Sequence, residues 1–472
     1  MSLPQLILLA WAASKEEEDK TSTRTSTSSL LSPEDRRRRD RRTPRIALMA
    51  MKGSAFIHLF GSGDDQALLN CCGVDHKVFR RLLAIFQPVF DTYTVDRNTM
   101  KVRPRLFTKN GKPKGNKREI TATIGLAVVL TWFRTRGSAA RTLSMVFGLT
   151  STPLYKWLKY SRKVLLYVLQ NHPDAIIRPP SDEEVEAYVA AIGRKYEALG
   201  TKRVWGAADG LKVKLQHSNN WAIQSMYYNS WVCDTYINSV LVFAPDGRIR
   251  MTTYNCPGTW HDSTMAEYGV YEKMETIYER TGGVVVVDSA FKMKGSKYLI
   301  RSQQNDPDTI TTSMAENAEA IVINRQATAV RQLSEWGMRM IQGQFPRMKD
   351  RLTLEELGDR KIILNLLLLL YNYQCSAVGI NQILNTFMSN TSGFESFEEL
   401  RLSTPAPPVN AHKIGGDNFQ TNINTFELFE ELRESYAERQ LGYFSYGTTP
   451  AEDANTKFEV GFGFGSLWVS SI

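Results

Sequence analysis

The sequence predicts an α/β fold in which a mixed sheet with flanking helices follows an all-helical region. Two observations support this prediction. Residues 119–170 carry apolar side chains at helical spacing, whereas from Val204 onward short apolar runs alternate with turns. The clearest run is Val284–Val287, because four β-branched residues in a row suit a strand that is packed on both faces.

The chain has 472 residues, 42% of them apolar, and a net charge of +9. This length has room for roughly three domains and at least one large core. The positive charge suits a polyanionic partner, although many basic enzymes share it. The five cysteines form no C-x-x-C pair, which favours reduced intracellular thiols and argues against a zinc site.

Changes in composition along the chain predict five segments. We expect a disordered basic segment at 1–64, a helical region at 65–170, a connector helix at 171–200, an α/β domain at 201–385 and a polar, partly disordered tail at 386–472. The apolar runs Leu3–Ala13 and Ile362–Tyr371 are too short to span a bilayer, so we expect no transmembrane segment.

Two stretches are strongly basic. Arg36–Arg45 is typical of a nuclear-localisation signal or a nucleic-acid patch, and a solvated charged linker is the alternative. From it we expect a nuclear protein. Arg97–Arg118 contains no acid and several Gly and Pro residues, which predicts a flexible loop that contacts phosphates.

Three helices are predicted at 120–133, 138–147 and 152–169, and a short Gly-containing turn precedes the basic third helix. This arrangement is typical of a helix-turn-helix DNA-binding unit, although many helical hairpins look the same. The residues that we expect to contact DNA lie in the basic loop and on the third helix: Arg103, Arg105, Lys109, Lys112, Lys114, Lys156, Lys159 and Arg162.

The second half of the chain predicts strands at 204–208, 236–244, 249–254 and 284–287, with a hairpin turn at 245–248. A helix follows the third strand, and further helices, one of them at 327–342, follow the fourth. This is the order of a ribonuclease-H-like core.

Two of these strands end in an acid, Asp209 and Asp288, and Glu335 lies on the helix beyond them. A strand-ending Asp often only caps a turn, and Glu335 with Arg331 and Arg339 could be a surface ion-pair stripe. Three clustered carboxylates would instead suit Mg²⁺ or Mn²⁺, and two such ions can clamp the attacking and leaving oxygens of a phosphodiester. We expect Asp209, Asp288 and Glu335 to be the catalytic metal ligands.

Asp262 and His261 are additional candidates for this site. Asp262 follows the third strand and opens a helix, and an acid in that position caps helix amides. We therefore favour a capping role for Asp262 over metal ligation.

The chain resembles the PIF/Harbinger superfamily of DDE transposases and the nucleases derived from them, over roughly residues 65–385. Five blocks carry the resemblance. They are Ala208-Asp209-Gly210; Tyr227-Tyr228-Asn229; Gly258 with His261-Asp262-Ser263; Asp288-Ser289 with Phe291; and Asn324 with Arg331 and Glu335. The chain departs from the usual pattern at Val287, Phe291, Ala327 and the order Glu335-Trp336-Gly337, but it keeps every carboxylate.

The resemblance implies metal-dependent DNA strand cleavage and transfer by a transposon-encoded or transposon-derived endonuclease. It also implies a separate Myb-like DNA-binding partner, and we expect a homo-oligomer. One alternative is a domesticated transposase that binds DNA without cutting it, and another is a nuclease directed at RNA.

Overall fold

A computed structural model describes residues 48–95, 102–106, 118–137, 139–291, 296–302, 314–354, 356–377 and 381–388. The cluster Arg36–Arg45, most of the basic loop and nearly all of the tail lie outside these ranges. The described residues all fall within one compact unit that spans Ser32–Phe419. The five predicted segment boundaries stay predictions.

The chain enters through three helices: α1 (Ala55–Ser62), α2 (Asp65–Cys72) and α3 (His76–Thr92). The helical spacing over 67–90 is divided between α2 and α3. Gly73, with a φ of 76°, ends α2 because the left-handed conformation costs glycine little. The basic segment then forms part of a strand pair that the sequence did not reveal, β1 (Tyr93–Val95) with β2 (Val102–Pro104).

The three predicted helices of the next region are present as α4 (Ala122–Arg134), α5 (Ala139–Phe147) and α6 (Ser151–Gln170). Apart from its last residue, α4 is buried along nearly its whole length, and it packs against α6. Two further helices, α7 (Asp182–Lys195) and α8 (Glu197–Thr201), lead into the sheet. A reciprocal capping box between Ser181 and Glu184 fixes the start of α7.

The sheet region contains six strands and three helices. In chain order they are β3 (Val204–Lys214), α9 (Trp221–Tyr227), β4 (Tyr228–Asn229), β5 (Asp234–Phe243), β6 (Ile249–Pro257), α10 (Asp262–Glu267), α11 (Tyr271–Thr281), β7 (Val284–Val287) and β8 (Leu299–Arg301). β5 pairs antiparallel with β3, β4 and β6, and β3 pairs parallel with β7, which in turn pairs parallel with β8. The sheet is therefore mixed, as predicted.

The strands differ from the sequence prediction in several places, and the two-residue β4 was not predicted. β3 and β6 are longer than expected because both continue as antiparallel partners of β5 beyond their apolar cores. β8 was missed, since three residues in a polar stretch give no clear periodicity. The hairpin between β5 and β6 turns at Gly247, which has a φ of 80°.

Three helices complete the described chain: α12 (Met314–Gln344), α13 (Leu357–Ala377) and α14 (Gln382–Phe387). α12 begins earlier than predicted, because the alanines and glutamates after Met314 favour helix although the stretch is polar. α13 carries the leucine run and packs against β6 and α6, as expected for a helix beneath the sheet. Within the described ranges, no helix is long and apolar enough to cross a membrane.

Candidate active site

Asp209 and Asp288 lie side by side at one edge of the β3–β7 pair. Ala207 pairs with Val286, and each acid stands two residues further along its own strand direction. The two acids therefore come from neighbouring strands. Asp209 does not end its strand, however: it lies inside β3, at the point where β7 stops and β3 continues with β5 alone.

Asp262 is the third acid of this group. One carboxylate oxygen from each of Asp209, Asp262 and Asp288 lies within 4.8 Å of the other two. All three side chains are half-buried. Such a set of hard oxygen donors fits a divalent cation such as Mg²⁺ or Mn²⁺.

The expected capping role of Asp262 is not observed. His261 is the N-cap residue of α10 and makes no side-chain capping bond, and Asp262 is the first residue of the helix. A carboxylate at that position does not accept from the free amides in the way an N-cap does. It points instead toward β3, where it lies against Gly210.

Glycine at position 210 makes this approach possible. A Cβ atom on Gly210 would lie 2.6 Å from Oδ1 of Asp262 and 2.7 Å from Oδ2. Any larger residue would therefore push the Asp262 carboxylate away from Asp209. The Asp209-Gly210 pair thus supplies one acid and the space for another.

The loop before α10 is tied to β4 and β5. The Asn238 side-chain amide donates to the carbonyl of Trp260 at 3.0 Å, and that of Asn229 donates to the carbonyl of Gly258 at 2.8 Å. A Cβ on Gly258 would lie 2.4 Å from the carbonyl oxygen of Tyr227. Two blocks that are separate motifs in the sequence, at 227–229 and 258–263, therefore form one support for Asp262. Asn238 belongs to neither block, and no sequence signal pointed to it.

A buried arginine supports this arrangement from behind. Arg360 on α13 is fully buried, and its guanidinium donates to the hydroxyl of Tyr227 at 2.9 Å and to Oδ1 of Asn255 at 2.7 Å. It also donates to the carbonyl of Leu354 at 2.7 Å. Breaking these bonds would leave a buried charge without partners, which is costly. Arg360 therefore fixes the junction of α9 and β4 relative to the end of β6.

The three acids are poorly compensated in charge. Burial raises the pKa of Asp209 to about 6, and repulsion from Asp288 and Asp262 adds to this effect, against the amide of Gly210 and Arg331. Burial and Asp288 also raise the pKa of Asp262, against Lys212 and His261. A bound cation would relieve this repulsion, so the electrostatics of the group, like its donor atoms, fit a metal ion.

Glu335 lies outside this group. Its carboxylate forms an ion pair with Nη2 of Arg331, one turn earlier on α12, at 3.0 Å. Arg331 also lies near enough to Asp209 to lower the pKa of that acid. The ion pair that was the alternative reading of Glu335 is thus present, and it stands next to the three Asp residues.

Gly337 sets the approach of α12 to the sheet. A Cβ at this position would come within 2.4 Å of the Phe243 ring at the end of β5. The order Glu335-Trp336-Gly337, a departure from the usual family pattern, therefore has a packing role. It brings the helix that carries Glu335 and Arg331 against β3, β5 and β7.

Two of the α6 residues that were expected to contact DNA have partners within the protein. Arg162 is buried and its guanidinium stacks over the Trp132 ring at 3.7 Å, and burial lowers its pKa to about 9. Arg162 is a core residue, so the expectation of a DNA contact is wrong for it. Lys159 forms ion pairs with Asp359 at 2.8 Å and with Glu356 at 3.8 Å.

The remaining basic candidates lie on α6, on and beside β2, and in the basic loop. Lys156 is half-buried with Nζ 4.9 Å from the centre of the Trp157 ring. Arg103 lies in β2 opposite Thr94, and the amide of Arg105 donates to the carbonyl of Thr92. Three lysines of the basic loop lie outside the described residues: Lys109, Lys112 and Lys114.

No curated protein and no solved structure matches the chain. A family model does match residues 208–372, a range that contains Asp209, Asp262, Asp288 and Glu335. The family is that of the DDE superfamily endonucleases, and it is to these nucleases that residues 208–372 are similar.

Proposed function

We propose that this protein is a metal-dependent DNA endonuclease of the DDE transposase type, which cleaves and transfers DNA strands. The convergence of Asp209, Asp262 and Asp288 is the observation that carries the proposal. The match of residues 208–372 to the DDE superfamily endonucleases supports it. The finer assignment, to the PIF/Harbinger superfamily, rests on the five sequence blocks.

The strand order of the sheet supports a ribonuclease-H-like core. Three consecutive antiparallel strands, β6, β5 and β3, are extended on the β3 side by β7 and β8, which run parallel to β3. Open sheets that mix these directions commonly place their sites at strand ends. The acids stand at such a point, where β7 ends beside β3.

In this proposal Asp209, Asp262 and Asp288 hold the metal. A divalent ion bound there would act as a Lewis acid at the phosphodiester and as a source of a nucleophile at neutral pH. The chain contributes orientation: Gly210, Asn229 and Asn238 fix Asp262, and the β3–β7 register fixes the other two acids. Lys212 adds a positive charge beside Asp262, where a phosphate would approach.

Glu335 remains a proposed ligand on the strength of its sequence block. To reach the metal, its carboxylate would exchange the Arg331 guanidinium for the ion. Arg331 would then be free to contact a phosphate, which an arginine can do with two parallel hydrogen bonds.

DNA is the proposed partner, with contacts from Arg103, Arg105, Lys156 and the basic loop. A Myb-like partner is part of the proposal through the family resemblance, a nuclear location through the basic cluster Arg36–Arg45, and self-association is proposed with them. The alternative of a domesticated DNA-binding protein without nuclease activity makes the same DNA contacts, so only an activity measurement separates the two.

The test is cleavage of supercoiled plasmid by the full chain with Mg²⁺ or Mn²⁺. We expect nicking that EDTA abolishes and that Asp209→Asn and Asp288→Asn each lower by orders of magnitude. Asp182→Asn is the matched control, since Asp182 lies on the surface of α7 in an exposed ion pair with Arg280. Metal-dependent DNA binding without cleavage would favour the domesticated alternative.

A further inference from the structure

A cleft of about 570 Å³ opens directly beside the acid group. Its walls come from β3, from the turn between β4 and β5, and from the loop before α10. The lining residues that matter here are Lys212, Tyr228, Trp231, Trp260, Asp262 and Ala290. Asp262 faces both the cleft and the other acids, and the volume lies within the range of roughly 300–1,000 Å³ of small-molecule sites.

The cleft presents aromatic rings to solvent. The Trp231 side chain is 93% exposed and that of Tyr228 is 39% exposed. Two exposed aromatic rings that line the same cleft form a contiguous apolar patch, and such patches often mark a binding surface. Trp260 completes the wall and is held by stacking on Tyr268, with ring centres 5.0 Å apart.

Trp231 is held in place by the same side chain that supports Asp262. Oδ1 of Asn229 accepts from the amides of Trp231 at 3.1 Å and of Val232 at 3.3 Å, while its amide group donates to the carbonyl of Gly258 at 2.8 Å. Two hydrogen bonds from Arg351 to Asp234, at 2.8 and 2.9 Å, fix the far end of the turn. The backbone of Trp231 is therefore held at a fixed offset from the loop that carries Asp262.

We propose that this cleft receives one unpaired nucleobase of the DNA, stacked on Trp231, next to the phosphate that is cut. This inference rests on the proposed function. Every base has a π-face that stacks on an aromatic ring, and an unpaired base costs little to take out of the stack. The polar lining, with Lys212, Asn229 and Asn238, suits a nucleotide better than the apolar face of a protein partner.

Fluorescence of 2-aminopurine tests the stacking without any need for cleavage. The full chain is titrated in EDTA with a duplex that carries a single unpaired 2-aminopurine. We expect wild-type protein to quench the emission at least about twofold, and Trp231→Ala to lose most of the quenching and to bind about 5- to 150-fold more weakly. Trp231→Phe should restore most of both effects, since phenylalanine also offers a ring.

Trp221→Ala is the matched control, because Trp221 is 81% exposed but does not line the cleft. It should quench like the wild type. Equal quenching by Trp231→Ala and wild type overturns the proposal, as does the absence of quenching by wild-type protein at saturation. If the cleft binds a protein partner instead of a base, Trp231→Ala and wild type should likewise quench equally.

A parallel cleavage assay separates this inference from the proposed function. Trp231→Ala should slow cleavage of a fully paired duplex more than that of a duplex with a preformed unpaired base at the cut. If wild type cleaves DNA and Trp231→Ala cleaves both substrates at the wild-type rate, the stacking role is wrong and the nuclease proposal is unaffected. If quenching depends on Trp231 but the wild type does not cleave DNA, the nuclease proposal is wrong and the proposed base site is retained.

Discussion

The Asp262 carboxylate lies against Gly210, where a single added Cβ atom would come within 2.6 Å of Oδ1. We expect Gly210→Ala to displace this carboxylate and to lower Mn²⁺ affinity about 10- to 100-fold, the usual effect of disturbing a group that orients a metal ligand. Calorimetric titration of the folded variant measures the loss.

Gly343→Ala is the control for this substitution, because a Cβ on Gly343 meets nothing within 4 Å. It should bind Mn²⁺ like the wild type and be slightly more stable, since alanine favours helix. Unchanged Mn²⁺ affinity in Gly210→Ala would show that Asp262 does not contribute to the metal site.

The raised pKa of Asp209 makes the metal-free fold sensitive to pH. Because the pKa rises from 3.8 to about 6 on folding, the folded chain binds more protons than the unfolded chain between these values. The contribution of Asp209 to the free energy of unfolding therefore falls as pH rises from about 4 to about 6. Above pH 6 this contribution stays unfavourable to the fold. At pH 7 in EDTA we expect Asp209→Asn to be more stable than wild type by about 1–2 kcal/mol, after allowance for solvent screening.

Chemical denaturation of both proteins at pH 4 and pH 7 checks this sign. The side-chain amide oxygen that Asp209→Asn introduces can still accept from the backbone amide of Gly210, a bond of 2.8 Å in the wild type, so the local geometry is kept. A variant less stable than wild type at pH 7 would show that the carboxylate is stabilising and that no repulsion exists to be relieved.

Bound divalent cations should offset the repulsion among the carboxylates of Asp209, Asp262 and Asp288. At about 100 times the dissociation constant, Mg²⁺ or Mn²⁺ should stabilise the wild type by about 2.7 kcal/mol and Asp288→Asn by much less. The stabilisation should weaken as pH falls through 6, because protons then compete for Asp209. Thermal denaturation with and without EDTA gives the measurement, and Ca²⁺ serves to separate binding from activity.

The third acid can be identified by comparing two variants. Asp262→Asn should abolish both Mn²⁺ binding and cleavage, because Asp262 lies with the other acids in the metal-free fold. Glu335→Gln should leave Mn²⁺ binding nearly intact and lower cleavage by orders of magnitude, because Glu335 joins the site only after leaving Arg331. Near-wild-type cleavage in Glu335→Gln, with circular dichroism unchanged, would reduce Glu335 to the partner of Arg331, an exposed pair of at most about 1 kcal/mol.

Arg162 and Lys156 should behave differently although both lie on α6. Arg162→Ala should destabilise the fold by about 2–4 kcal/mol because the stacking on Trp132 is removed. In the protein that remains folded, the salt dependence of DNA binding should be that of the wild type. Lys156→Ala should change the free energy of unfolding by less than about 0.5 kcal/mol. If Lys156 binds a phosphate, the substitution should also lower the slope of log binding constant against log salt concentration by about 0.9. Denaturation and DNA titrations at several salt concentrations distinguish them.

Most strands of the sheet could be located from the sequence because their signals are local. Val284–Val287 is a strand at the predicted residues, and the acid after it lies beside Asp209, as adjacent strand ends require. Asp262 was misjudged for a physical reason: its position before a helix is a local pattern, whereas its approach to Gly210 depends on how the loop crosses β3. Periodicity also could not reveal Arg162 as a core residue, since a charge on a helix face is usually solvated.

The aromatic cleft was invisible for a similar reason. Trp231 lies in a short turn between two strands, and the side chains of Asn229 and Asn238, bonded across the fold, hold that turn next to the loop that carries Asp262. The position of the cleft beside the acids depends on contacts between residues that are remote in sequence.

The parallel pairing of β3 with β7 has a consequence for the life of the chain on the ribosome. Asp209 emerges early, but its neighbour Asp288 arrives only after a hairpin and three helices have been synthesised, and parallel pairing over such a separation forms slowly. A nascent or prematurely terminated chain that stops before Val284 cannot assemble the three-acid group. The proposed capacity to cut therefore arises only when most of the polypeptide exists.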